Sequence, residues 1–205
     1  MSKKREKAEA FKTKVEAKIQ NLISEFSEGQ ISREQFNLLY DRYNGQLSIA
    51  NEALAENDIR ALNEVENSVP TIFVKTATAG KATGMAIYHH RSGQIIEALG
   101  SFDVPVAQLT PVLNEIVGKI DADEFVEPKS INIDRGHWVL FESRKHTTII
   151  TLFQNEPAAI QIREMQRLHH DFEVANQRFL VSDKVDANSL GYPFLTIVQK
   201  SLKPK

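Results

Sequence analysis

Cysteine is absent from this chain of 205 residues. Its absence excludes disulfides, thiolate metal sites and a cysteine nucleophile, and it is consistent with a reducing compartment. Long hydrophobic runs are also missing, so no segment is predicted to cross a bilayer. The basic residues near the N-terminus, Lys3 to Lys7, are not followed by the apolar stretch of a secretory signal. We therefore expect a cytoplasmic protein.

An excess of charge of either sign is missing as well. The chain has 25 Lys and Arg against 27 Asp and Glu, a formal net charge of -2 and a pI of about 6.3. This balance gives no general attraction to nucleic acid or to an anionic membrane. The hydrophobic share of 41% and the charged share of 25% are typical of a globular protein.

Glycine and proline are absent from Lys3 to Phe26, and this segment is predicted to be an amphipathic helix. Gly29 follows at the position expected for a left-handed C-cap. Ser32 then begins a capping box in which Gln35 can bond back to the Ser32 amide. The apolar stripe of this first helix, at spacings of three and four, comprises Ala8, Phe11, Val15, Ile19, Leu22 and Phe26.

A second amphipathic helix follows the capping box, and the short turn predicts an antiparallel helical hairpin. Its apolar residues include Phe36, Tyr40, Tyr43 and Leu47, here called the hairpin seam. Because a two-helix hairpin has little core of its own, the seam must pack against its own chain, a second protomer or a partner. Tyrosine is favoured at interfaces, so the seam is the predicted partner-binding surface.

The pattern changes near Val69–Pro70, where Thr71 to Val74 is rich in β-branched and aromatic residues. We expect a hairpin domain over residues 1–66, an α/β domain over 67–183 and a tail over 184–205. Within the tail, Pro193 to Val198 is a candidate edge strand.

The α/β domain is predicted to begin with a β-hairpin, Met85 to Leu99, which turns at Ser92–Gly93. A helix follows from about Val104 to Ile120, with Thr110–Pro111 as a second candidate start. Three strands between Ser130 and Phe153 and a long helix after Pro157 complete it. Because strands and helices are segregated, the fold class is α+β, with a five-stranded antiparallel sheet and flanking helices.

Three segments carry a family resemblance. They are Gly84 to Gly100, which reads GMAIYHHRSGQIIEALG, Lys129 to Ser143, which reads KSINIDRGHWVLFES, and Ile149 to Phe153, which reads IITLF. Together with the order of elements, they resemble the roadblock family over roughly residues 57–179. The family pattern is an apolar strand, a Gly-tipped turn, a returning strand, a helix and three strands. The chain departs from it in having Ala158–Ala159 where the family usually places Gly ahead of the last helix. The N-terminal hairpin and the tail also lie outside the usual module.

Membership of that family would imply a homodimer whose sheets join edge to edge, with a pair of central helices across the join. It would also imply a non-enzymatic regulator or scaffold for a Ras-like small GTPase or a related cytosolic complex. The residues that would form the dimer interface are Val112, Leu113, Ile116, Ile131 and Ile133.

The residue types that carry catalysis or bind metals do not form a diagnostic pattern. His89 and His90, adjacent on a strand, point to opposite faces, and His169–His170 lacks the i, i+4 spacing of a helical zinc site. Gly80 to Thr83 lacks the earlier glycine of a phosphate-binding loop, and the acidic residues of 121–127 lack calcium-loop spacing. We therefore predict no catalytic residues, no metal site and no cofactor.

Two other functions remain open. One is a ligand-sensing module of the PAS or profilin-like type, which would require a deep apolar pocket between sheet and helix. The other is a small hydrolase that uses His89, His137 and His146, which would require the fold to bring these residues together.

Overall fold

The computed structural model describes residues 3–56, residue 62, residues 71–134 and residues 136–193. The chain divides into two compact units, Met1–Ala79 with Ala158–Ile160 and Gly80–Pro157 with Gln161–Lys205. The predicted boundary after residue 66 lies outside the described residues.

The first unit is built on the predicted antiparallel helical hairpin, which is confirmed. Helix α1 spans Lys3–Ser27 and packs along α2, Arg33–Glu56, and α2 also contacts a short helix α3, Thr71–Thr78. Gly45 does not interrupt α2. The buried side chains of α1 are those of the predicted stripe except Phe26, which is 39% exposed.

The turn between α1 and α2 follows the predicted local chemistry. Gly29 has a φ of 71°, the left-handed conformation that ends many helices. At the start of α2, the backbone N–H of Gln35 donates to Ser32 Oγ at 3.2 Å, and the backbone N–H of Ser32 donates to Gln35 Oε1 at 3.0 Å. This reciprocal pair is the capping box, and it fixes where α2 begins.

Helix α3 was not expected, because its sequence begins with residues that favour strands. It is held by contacts to the hairpin: Val74 packs against the hairpin core, and Gln35 Nε2 donates to the Lys75 carbonyl at 3.0 Å. The Lys75 ammonium also pairs with the Glu25 carboxylate. Such tertiary contacts override a weak local preference.

The second unit is an α+β structure around one five-stranded sheet, as predicted. The strands are ordered β2-β1-β5-β4-β3, and every neighbouring pair is antiparallel. Its elements are β1 Lys81–His89, β2 Gln94–Gly100, α4 Val106–Asp121, β3 Lys129–Asp134, β4 His137–Ser143, β5 Thr147–Gln154 and α5 Ala159–Leu180.

Side chains alternate along each strand, so the sheet presents apolar residues on both of its faces. One helix covers each face. One face contributes Leu140 and Ile149 to a core with Leu168 and Phe172 of α5. The other face contributes Phe141 and Ile150 to a core with the α4 residues Leu109, Leu113 and Ile116. The central strands β4 and β5 are therefore buried on both sides.

One detail of this unit differs from an alternative that the sequence left open. Helix α4 begins at Val106, so Pro111 lies inside it and the second candidate start, Thr110–Pro111, is not used. Residues 184–193, the first part of the predicted tail, pack on this unit: Leu190 is buried, and the Gly191 backbone amide donates to Asn176 Oδ1 of α5 at 2.7 Å. Residues 194–205, which hold most of the predicted edge strand, lie outside the described residues.

Among the helices that the structure describes, none combines the length and the apolar composition needed to cross a membrane.

Candidate functional site

The hairpin seam lies mainly within the packing of the first unit. Tyr43 is only 3% exposed, and the Lys18 ammonium lies 5.6 Å from its ring centroid. Phe36, Tyr40 and Leu47 are partly buried against the same core. Tyr43 is therefore a core residue of the hairpin, and only the partly buried seam residues retain surface for a partner.

An aromatic ladder runs along one flank of the hairpin. The rings of Phe26 and Phe36 stack with centroids 4.6 Å apart, and those of Phe36 and Tyr40 with centroids 5.3 Å apart. Phe26 and its neighbour Ile23 are 39% and 42% exposed. The ladder connects the seam to Phe26, which the sequence placed on the apolar stripe of α1.

The predicted dimer residues lie on α4 and β3 and divide into two groups. Leu113 and Ile116 are 6% and 3% exposed because they face the sheet, so they form the chain's own core and do not present an interface. Val112, Ile131 and Ile133 are partly buried at the edge of the same core. The chain's own core therefore does not fully enclose these three side chains.

Strand β3 is an edge strand with one side open. In the described part of the sheet it pairs only with β4, and its register shifts between Asn132 and Asp134. The backbone groups on its other side have no strand partner there. An open edge of this kind is a template for pairing with another chain.

The second unit also contains a buried polar network that the sequence did not reveal. His169 of α5 is 0% exposed, and its Nδ1 bonds the carboxylate of Glu142 on β4, which is 5% exposed. The hydroxyl of Thr147 lies 2.8 Å from both His169 Nε2 and Glu173 Oε1. Glu173 Oε1 also accepts the amides of His146 and Thr147 at 2.9 and 2.8 Å. The network thus ties α5 to β4 and β5.

The electrostatics of the network favour a neutral imidazole beside a carboxylate. Burial lowers the pKa of His169 to about 3, and electrostatic repulsion from His90 also lowers it. The single N–H of the neutral ring then lies on Nδ1, where Glu142 accepts it. The guanidinium of Arg144, whose Nε is 3.8 Å from Glu142 Oε1, partly compensates the buried negative charge.

An open groove lies beside this network, at the C-terminal end of α4. Its cavity volume is about 600 Å³. We call it the α4-end groove; it is lined by Ile120, Asp123, Glu124, Phe125, Val126, Ser143, Arg144, Lys145, His146 and Glu173. Phe125 is 83% exposed, the largest exposure among the large apolar side chains described. Glu173 of the network lines the groove, as do Arg144 and His146, which contact the network.

The other candidate histidines have structural partners. His89 is fully buried, with Nε2 3.0 Å from the Leu180 carbonyl oxygen and Nδ1 2.9 Å from Ser92 Oγ. His90 Nε2 lies 2.8 Å from Thr148 Oγ1, and burial lowers the pKa of His90 to about 4. His137 Nδ1 lies 2.6 Å from Asp134 Oδ1 on the surface. Over the described residues, no group of three or more His, Asp or Glu side chains is arranged to hold a metal ion.

The remaining motifs have local explanations. Lys81 to Thr83 forms the start of β1 instead of a phosphate-binding loop. Asp121, Asp123, Glu124 and Glu127 are exposed in and beside the loop that follows α4.

One sequence signal could have revealed the buried network. His169 and Asn176 occupy the helical stripe formed with Met165, Phe172 and Leu180. A polar residue at such a position must find a partner in the core. The partner itself, Glu142, is distant in the sequence and follows only from the fold.

Comparison with known proteins found no match to a protein-family model, to a curated protein or to a solved structure.

Proposed function

We propose that this chain is a non-enzymatic, homodimeric scaffold or regulator, in which the β3 edges of two copies pair to join their sheets. The partner we propose is a Ras-like small GTPase or a related cytosolic complex, as the roadblock resemblance implies. The observation that carries the proposal is the open edge of β3 beside α4. The order of hairpin, helix, meander and helix around one antiparallel sheet supports it.

The side chains of β3 suit pairing with a second copy. A two-fold axis perpendicular to the sheet places residues of the same face opposite each other. A register centred on Ile131 pairs this residue with its own copy, and one centred on Asn132 pairs Ile131 with Ile133 of the second copy. Either register brings partly buried β-branched side chains together, which is the favourable kind of cross-strand pair.

The two other functions fit the geometry less well. A ligand sensor needs an enclosed apolar pocket, whereas the α4-end groove is open and lined by charged side chains. A hydrolase that uses His89 as a base would need a free ring nitrogen, but both nitrogens of this fully buried ring are engaged.

The dimer is tested by sedimentation equilibrium of the purified chain, with Ile131→Lys as the edge variant. Ile95→Lys is the matched control, because Ile95 lies on β2, the opposite edge of the sheet. The wild type and the control should have twice the chain mass of 23.2 kDa. Replacing both Ile131 side chains of a dimer with lysines should raise its Kd by roughly tenfold to a hundredfold.

A monomeric wild type would refute the dimer, and so would an Ile131→Lys variant that associates as the wild type does. The partner is tested by affinity capture with wild-type and Ile131→Lys protein as bait, followed by mass spectrometry. We expect a small GTPase to be retained by the wild type and depleted from the variant. A monomer that carries a small metabolite instead would support the sensor.

A further inference from the structure

The α4-end groove has an excess of carboxylates. Asp123 and Glu124 lie on its loop wall, and Glu173 lies on the side of α5 with only 11% of its side chain exposed. Two backbone amides and the Thr147 hydroxyl surround Glu173 Oε1, so this carboxylate is fixed in place. The negative end of the α4 dipole adds to the same potential.

The basic residues that line the groove balance little of this charge. Arg144 is directed to Glu142, and its Nη2 donates to the Gln166 carbonyl at 3.0 Å. Burial lowers the pKa of His146, which keeps this ring neutral near pH 7. Among the described residues that line the groove, Lys145 is then the one cation whose charge is not already directed to Glu142, whereas three carboxylates line the groove. The groove therefore favours a cationic ligand over an anionic one.

The exposed ring of Phe125 indicates which kind of cationic ligand would fit the groove. A groove lined by both an exposed aromatic ring and carboxylates suits a guanidinium, which can stack on a ring and donate several hydrogen bonds in one plane. We propose that the α4-end groove binds an arginine side chain presented by a partner protein. This site depends neither on the β3 dimer nor on a GTPase partner, so it can be tested separately.

The probe is Nα-acetyl-arginine amide, titrated into the ¹⁵N-labelled full chain and followed by amide chemical shifts. Its neutral isostere, Nα-acetyl-citrulline amide, and the anionic Nα-acetyl-glutamate amide are the ligand controls. We expect saturable shifts at residues 123–126 and 144–147 with the arginine probe only. Because the contacts of one side chain contribute little binding free energy, the Kd of the arginine probe should be on the order of millimolar.

Three variants of exposed residues test the assignment with little risk to folding. Asp123→Asn suits the position, because Asp123 has a φ of 58° and asparagine tolerates this conformation. Combined with Glu124→Gln, it should raise the Kd about fivefold, and Phe125→Ala should raise it about threefold. Glu127→Gln is the matched control, because Glu127 does not line the α4-end groove but lines a neighbouring groove of about 420 Å³ that shares Phe125 and Val126 with it; this variant should bind as the wild type does.

Four results would overturn the proposal. Two concern the control ligands: equal shifts with citrulline, and shifts of the same amides with the glutamate probe. The other two are unchanged binding by the Asp123→Asn/Glu124→Gln variant and the absence of saturable shifts with the arginine probe.

Discussion

The buried pair of Glu142 and His169 should behave as one energetic unit. Replacing Glu142 with Leu leaves the N–H of His169 without an acceptor in the core, at a cost of about 1–3 kcal/mol. Replacing His169 with Leu removes the N–H donor from a carboxylate that is 5% exposed, and because this acceptor is charged the cost should be about 2–4 kcal/mol. The double variant removes both polar groups and should lose far less than the sum, roughly 1–2 kcal/mol.

Urea unfolding of the four proteins, followed by tryptophan fluorescence, measures this coupling. Trp138 is the one tryptophan of the chain and packs in the same core as α5, so its emission reports on this unit. Glu142→Gln is a useful fifth protein, because its amide oxygen can still accept from His169. It should lose less stability than Glu142→Leu. A double variant that loses the sum of the two single losses would refute the reasoning.

Two further predictions concern the same unit and use the same fluorescence assay. The folded-state pKa values of His90 and His169 lie below the ordinary value of 6.5, so the unfolded chain binds protons at these rings at a higher pH than the folded chain does. The contribution of the two neutral rings to the free energy of unfolding is therefore complete above about pH 6.5 and is lost as the pH falls. Between pH 7.5 and 5.5 the wild type should lose stability, His90→Gln should lose less, and equal losses would contradict the assignment of His90. Gly84→Ala should lower the free energy of unfolding by about 1–3 kcal/mol, since the added Cβ would lie 2.3 Å from the backbone carbonyl oxygen of Ser101. Gly118→Ala in α4 meets nothing within 4 Å and should stabilise by about 0.5–1 kcal/mol; a loss in both variants would contradict this steric reasoning.

Much of the fold could be predicted because its signals are local. Gly29 and the pair Ser32 and Gln35 specify the end of one helix and the start of the next through bonds between near neighbours. The turn at Gly93, with a φ of 67°, similarly specifies the first β-hairpin. Each of these signals acts within a few residues, so it survives without knowledge of the tertiary structure.

The errors occurred where distant contacts decide the local structure. Helix α3 begins with residues typical of a strand, but Val74 and Lys75 are held by the hairpin. Glu142 lies on a strand that is buried on both faces, so its sequence shows no alternation that would mark it as a core residue. The α4-end groove likewise combines the end of α4, a turn between two strands and a residue of α5.

The dimer residues illustrate the limit of a periodicity argument. Leu113 and Ile116 lie on the apolar side of α4, but the sequence does not say whether that side faces the chain's own sheet or a second copy. In the structure it faces the sheet. The edge of β3 remains the surface through which we propose that two copies associate.

Hydrogen–deuterium exchange of β3 measured at increasing protein concentration tests this association most directly. If two copies pair through β3, amides of residues 129–134 should exchange more slowly as dimer forms, whereas those of the opposite edge, residues 94–100, should not change. Exchange of β3 that is independent of concentration while the chain remains monomeric would contradict the proposed scaffold.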